Sequence, residues 1–255
     1  MPKQPVHRDE LVAYLDRYLR IAEVPDSSPN GLQVQGADRV ARVAYAVDAS
    51  VQTIRAAQKA DADFLVVHHG LWWGKHVPIT GTMHARVAAL IHADVSLYAA
   101  HLPLDCHPKV GNNVELARLL GLRTREDFGE YRGVRIGVIA EAARPLTRAS
   151  FAERVAKTLG ARTGILPCGP AKVRRVAIVS GGGAMLAEDA ARAGCDTLLT
   201  GETAHSAVHP AREASINLVF GGHYATETVG LEALRRHVAR RFRLTGVFLS
   251  APTGY

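Results

Sequence analysis

The chain has 255 residues, 47% of them hydrophobic and 22% charged, with a formal net charge of +7 and three cysteines. That is enough chain to bury a real core, as one large domain or two small ones. No apolar run is long enough to span a membrane, and the opening MPKQPVHRDELVAYL has no apolar leader core. Cys106, Cys168 and Cys195 form no CxxC pair, so a reducing, cytoplasmic setting without disulfides is expected.

Helical spacing of Leu11, Leu15, Tyr18 and Leu19 predicts an amphipathic helix over residues 8–21. The turn-rich PDSSPNGLQVQG that follows reads as a loop. ARVAYAVDAS reads as a strand ending at Asp48, SVQTIRAAQKADAD as a helix, and DFLVVHH as the next strand. ARVAALIHAD then reads as a helix and VSLYAAH as a strand. NNVELARLLG reads as a helix with Asn112 or Asn113 as N-cap and Gly121 as its stop. In the second half VRIGVIAEA is a strand, and FAERVAKTLG a helix preceded by Thr147 and Ser150. RRVAIVSGGG is a strand running into a glycine turn, AMLAEDAARAG a helix, CDTLLTGE and SINLVFGGH strands, and TETVGLEALRRHVARRF the closing helix. Alternating β and α elements predict an α/β fold with a largely parallel or mixed sheet.

A weak internal repeat runs through this order. Asp63–His69 (DFLVVHH) lines up with Asp196–Glu202 (DTLLTGE), and the next strand in each half ends in a histidine followed four residues later by an acid, His101–Asp105 and His223–Glu227. The expected division is one α/β repeat over 1–125 and a second over 126–255, with a site at the strand ends. Open α/β sheets place ligands at the carboxyl ends of their strands.

Consecutive strand residues point to opposite faces. His68 and His69 therefore share a site only if the strand stops there, and Gly70 is expected to supply the backbone freedom. The strand-end groups are His68, His69, His101, Asp105, His223 and Glu227. Imidazole and carboxylate are the usual ligands of zinc, iron, manganese, cobalt or nickel. Six such groups exceed one four-coordinate ion, and two ions sharing a bridging carboxylate would use them, as in two-metal hydrolases. Pro103 argues for a loop around Asp105. Asp48 could orient a ligand histidine. His205 and His209, four apart, form a rival pair for which a place at the rim is expected. His84, His92, His107 and His237 read as surface or packing residues, and Cys106 as a packed thiol. Ser180–Gly183 matches no nucleotide-binding pattern and reads as a packing turn.

Several stretches carry a family resemblance: PNGLQVQG at 29–36, VVHHGLWWG at 66–74, HLPLDCHPKVGNN at 101–113, TGETAHSAVHPARE at 200–213 and GGHYATETVGLEAL at 221–234. The chain resembles the NIF-three-like family of dinuclear metal-centre hexameric proteins, often labelled GTP cyclohydrolase I type 2 homologues, in the short form without a mid-chain insertion. The resemblance implies an α/β duplication of two intertwined repeats and a toroidal homohexamer. It implies two divalent ions per chain on His68, His69, Asp105, His223 and Glu227, with Glu227 bridging and His101 beside the site.

The first functional expectation is a hydrolase that uses metal-bound hydroxide on a small anionic substrate, with His101, Glu202 or His209 moving protons. The second is a non-catalytic metal carrier or scaffold. The third is a DNA-binding ring exploiting the +7 charge, ranked last because the densest basic run, residues 235–243, reads as a solvated helix face.

Overall fold

A computed structural model describes residues 4–75 and 77–254. The chain divides into two compact units: residues up to Val110 together with Leu231–Ala251, and Gly111–Gly230 with the residues that follow Ala251.

The first unit begins with β1 (Val6–His7) and α1 (Arg8–Leu19), which ends where Arg20 turns left-handed at φ 57°. Then come β2 (Gly31–Val34), β3 (Arg39–Val40), β4 (Arg42–Asp48), α2 (Val51–Lys59), β5 (Phe64–His69), α3 (Gly81–His92), β6 (Ser96–Ala99) and α4 (Leu102–Asp105). A reciprocal Ser50–Thr53 capping box starts α2. β4, β5 and β6 run parallel, and β2 closes one edge antiparallel to β6. One face of this sheet, including Ala44, Ala46, Leu65, Val67 and Leu97, packs with Ile54 and Ala57 of α2 and Leu90 of α3. Consecutive residues of β4, β5 and β6 are buried, so both faces are covered, and these strands read as near-continuous apolar runs.

The second unit holds α5 (Asn112–Leu119), β7 (Leu122–Tyr131), β8 (Val134–Thr147), α6 (Arg148–Leu159), β9 (Gly164–Leu166), β10 (Lys172–Val179), α7 (Ala187–Arg192), β11 (Thr197–Thr200), α8 (Val208–Glu213) and β12 (Asn217–Phe220). The chain continues into α9 (His223–Phe242), and β13 (Thr245–Phe248) pairs parallel with β4 in the first sheet. The six-stranded order is β7-β8-β10-β11-β12-β9. Val138, Ala140, Val176 and Ile178 pack with Leu116 of α5 and Phe151 of α6. The alternate residues Ile139, Ala177 and Val179 pack with the alanines of α7 and α8.

The repeat seen in the sequence extends to individual hydrogen bonds. In the first unit Asp63 Oδ2 accepts from the backbone N–H groups of Ala41 (2.8 Å) and Arg42 (2.9 Å). In the second, Asp196 Oδ2 accepts from those of Arg174 (2.8 Å) and Arg175 (2.9 Å). Each acid ties the start of its own strand to the start of the preceding one. Three parallel strands with an antiparallel edge follow in both, β4-β5-β6-β2 and β10-β11-β12-β9.

Three of the expected secondary-structure assignments are corrected. Within PDSSPNGLQVQG, residues 31–34 form strand β2, because Leu32 pairs with Tyr98 and Val34 with Leu97. The N-cap of α5 is Gly111. Asn112 Oδ1 instead accepts from Gly230 N–H (2.8 Å), and Asn113 Oδ1 from Ser180 N–H (2.7 Å). Pro103 does not exclude a helix, since it sits in the first turn of α4, where its missing N–H has no intrahelical partner to lose. LRTREDFGEY, for which the sequence predicts no element, forms β7, a hairpin partner of β8, with Leu122 and Phe128 buried and most of its other residues exposed.

Because each aspartate satisfies two backbone donors, Asp63→Ala and Asp196→Ala should each lower unfolding free energy by about 1–3 kcal/mol. Urea denaturation of the two variants checks this.

Candidate metal centre

β4, β5 and β6 end side by side, and the register sets Asp48 opposite His69. His69 Nδ1 donates to Asp48 Oδ1 at 2.8 Å. His68, fully buried, donates from Nδ1 to the carbonyl of Ala100 at 2.9 Å, just past the end of β6. A carbonyl oxygen only accepts, so Nδ1 of His68 carries a proton and Nε2 is the nitrogen turned toward Asp105. His101 follows β6 and donates from Nδ1 to both oxygens of Asp26, each at 3.0 Å. All three imidazoles are thus held through the same nitrogen, two by carboxylates and one by a backbone carbonyl. Metal-ligating histidines are characteristically oriented in this way. The ligand atoms of His68, His69 and His101 lie within 4.8 Å of one another. Asp105, at the end of α4, brings Oδ2 to 3.5 Å from His68 Nε2.

Gly70 departs from its expected role. Its φ is not in the left-handed region, so backbone freedom is not what it supplies. A Cβ there would lie 2.8 Å from Ala99 Cβ and strike the Gln33 side chain, so glycine supplies space for close packing of the strand tips.

Asp26 and Asn30 carry weight that the sequence did not reveal. Asn30 Oδ1 accepts from His101 N–H (2.7 Å), and Asp26 Oδ2 from Leu102 N–H (3.0 Å). Burial opposes ionisation of Asp26, but the hydrogen bond and charge of His101, with Asn30 and Ser28 N–H, hold its carboxyl well below the usual range. In PDSSPNG these residues look like ordinary turn formers, and no local spacing links them to a histidine some seventy positions on.

In the second unit, β12 leads to His223 at the start of α9. His223 Nδ1 donates to Glu202 Oε2 at 2.9 Å, and its Nε2 lies 3.1 Å from Glu227 Oε1, one turn along the helix. Glu227 is buried. Gly181, at φ +63°, has no room for a Cβ, which would collide with Glu227 Oε1 and lie 3.1 Å from His223 Nε2. The Ser180–Gly183 turn is thus a packing turn, shaped around a buried acid. The hydrogen bond to Glu227 raises the His223 pKa; burial opposes the shift, and the charge of Glu227 and the contact with Glu202 reinforce it, to about 9.

His205 and His209 are exposed, and neither falls in a described cluster of potential metal ligands. His107 is a packing residue, with Nε2 donating to Tyr18 O at 2.9 Å. His237 stacks on Tyr18 at a centroid distance of 4.0 Å. None of the three cysteines is in a disulfide, and none of the helices among the described residues is long and apolar enough to cross a membrane.

Fold and donor set together define a duplicated α/β protein whose strand tips gather imidazoles and carboxylates suited to divalent ions. The chain belongs to the Duf34/NIF3 (NGG1p interacting factor 3) family, whose model matches residues 6–252. It is 46% identical to a Deinococcus radiodurans protein named GTP cyclohydrolase 1 type 2 homolog, covering 98% of this chain and 95% of the relative. A Pyrococcus horikoshii protein of the same name is 44% identical, covering 97% and 99%. Among solved structures, a structural-genomics protein of unknown function, ybgI, superposes with a TM-score of 0.93 at 33% identity, covering 98% of this chain and all of that one. A Thermus thermophilus protein superposes at 0.89 with 42% identity and the same coverage.

In protein stripped of metal, His223 should titrate near pH 9 by NMR. The value lies above the ordinary 6.5, so the proton favours the folded state. The stabilisation is complete below about 6.5 and disappears as pH rises through about 9. Glu227→Gln should bring the midpoint down.

Proposed function

We propose that the chain is a metal-dependent hydrolase acting on a small anionic substrate, with two divalent ions held by His68, His69, Asp105, His223 and Glu227. The observation that carries this reading is the trio His68, His69 and His101, each fixed through Nδ1, with ligand atoms within 4.8 Å. Neutral imidazoles and carboxylates fit zinc, iron, manganese, cobalt or nickel. Such ions supply Lewis acidity and lower the pKa of bound water.

The chain's own residues do the rest. Asp48 and Asp26 fix the tautomer and ring plane of His69 and His101. Glu227 would be one of the groups holding metal, and it is buried, which shields its carboxylate from solvent. Of the three proton-transfer candidates, Glu202 is best supported, being half-exposed and 2.9 Å from His223 Nδ1. His101 has Nδ1 committed to Asp26, and His209 stands exposed on α8. The relatives' shared name makes GTP one candidate substrate. A cytoplasmic toroidal homohexamer is proposed on the family resemblance.

Elemental mass spectrometry on untagged protein should find about two ions per chain, the number a two-metal hydrolase site requires. Chelation should abolish turnover in a screen of phosphoesters, amides and purine nucleotides, and His69→Ala should do the same while the circular dichroism spectrum is retained. Turnover surviving in His69→Ala would overturn the hydrolase reading. Metal-loaded protein with no turnover across the screen would favour the carrier reading instead. Asp48→Ala, which leaves every proposed ligand in place but removes the carboxylate on His69 Nδ1, should weaken metal retention about 10- to 100-fold, measured by competition with a chromogenic chelator.

A further inference from the structure

The loop after β5 sets two adjacent tryptophans to opposite uses. Trp72 packs against the apolar cluster under the first sheet. Trp73 is 42% exposed, yet it meets the histidine cluster: its ring lies 4.9 Å from His101, edge-on at 79°, and 5.6 Å from His69. An edge-on contact, unlike a face-to-face stack, leaves indole surface open. The backbone that presents it is pinned on both sides. Leu71 N–H donates to Gln33 Oε1 at 2.8 Å, and Gly74, at φ +61°, donates to Ser27 O at 2.7 Å. The neighbouring residues Asp26, Pro29, Trp72 and Lys75 line a shallow, open cleft alongside it, outside which Trp73 itself stands. Asp26 is the carboxylate that orients His101, so cleft and cluster share a wall, and Lys75 puts a cation at the cleft.

A partly exposed indole, held beside metal-binding groups by a backbone pinned on both sides, is available to a ligand at that centre. We propose that Trp73 is a positioning and specificity-determining residue: its open face stacks a planar, unsaturated ring of the substrate while an anionic group on that ring meets the metal centre. This rests on the metal-centre reading above and narrows its substrate class to planar ring compounds carrying an anion.

The test uses two probes of equal charge and similar size, benzoate and cyclohexanecarboxylate, titrated by calorimetry into full-length metal-loaded protein. Only the first offers a flat π face. Wild type should prefer benzoate by roughly three- to tenfold, the range expected of an aromatic pair. Trp73→Phe should keep most of the preference. Trp73→Leu, which keeps apolar bulk without the ring, should abolish it while cyclohexanecarboxylate affinity stays within about twofold. A wild type without the preference, or a Trp73→Leu variant that retains it, overturns the proposal. Metal content measured on the same samples separates the two readings. Ions present with no ring preference sink only the role of Trp73, whereas no ions after incubation with zinc, manganese and iron sink both.

Discussion

The register of the parallel strands is the constraint on which the candidate centre depends. It is set at the strand starts, where Asp63 and Asp196 each hold two backbone N–H groups of the preceding strand or its approach. In the first unit that register continues to the far end, where it places Asp48 beside His69. A slip of one residue would move the histidine to the other face and part it from its carboxylate. The chemistry at one end of the sheet is therefore fixed by hydrogen bonds at the other.

The same logic explains the glycines at the tips. Gly70 follows β5 and Gly181 follows β10, and each is small because a side chain must approach closely: Ala99 and Gln33 at Gly70, Glu227 at Gly181. Duplication has kept the architecture while changing the groups. His69 in one repeat corresponds to Glu202 in the other, whereas the histidine-then-acid step at the start of the next helix, His101–Asp105 and His223–Glu227, is kept in both.

Anchoring through Nδ1 recurs at every histidine of the candidate centre, and the anchors differ in kind. Asp26 and Asp48 bring negative charge, which raises imidazole basicity. Ala100 brings a neutral carbonyl. The Glu202–His223–Glu227 chain gives His223 acids at both nitrogens, which is why its proton is held so firmly without metal.

Much of this was legible in the sequence, because apolar runs, caps and glycine stops are local signals. The alternation of strand and helix, the capping of α6 by Thr147, the repeat and the paired strand-end histidines all follow from residues near one another in the chain. The tertiary structure alone decided what depends on distant partners. β2 is a strand because β6 offers it an edge, and β7 because β8 folds back on it. β13 returns to pair with β4 some two hundred residues earlier. Asp26 became an anchor for His101, and Trp73 an open wall beside it, only when separate loops met at the strand tips. The sequence by itself named the ligand-type residues, since their chemistry resides in the side chains. The structure chose which nitrogen each histidine turns inward, because that depends on the group the other nitrogen finds.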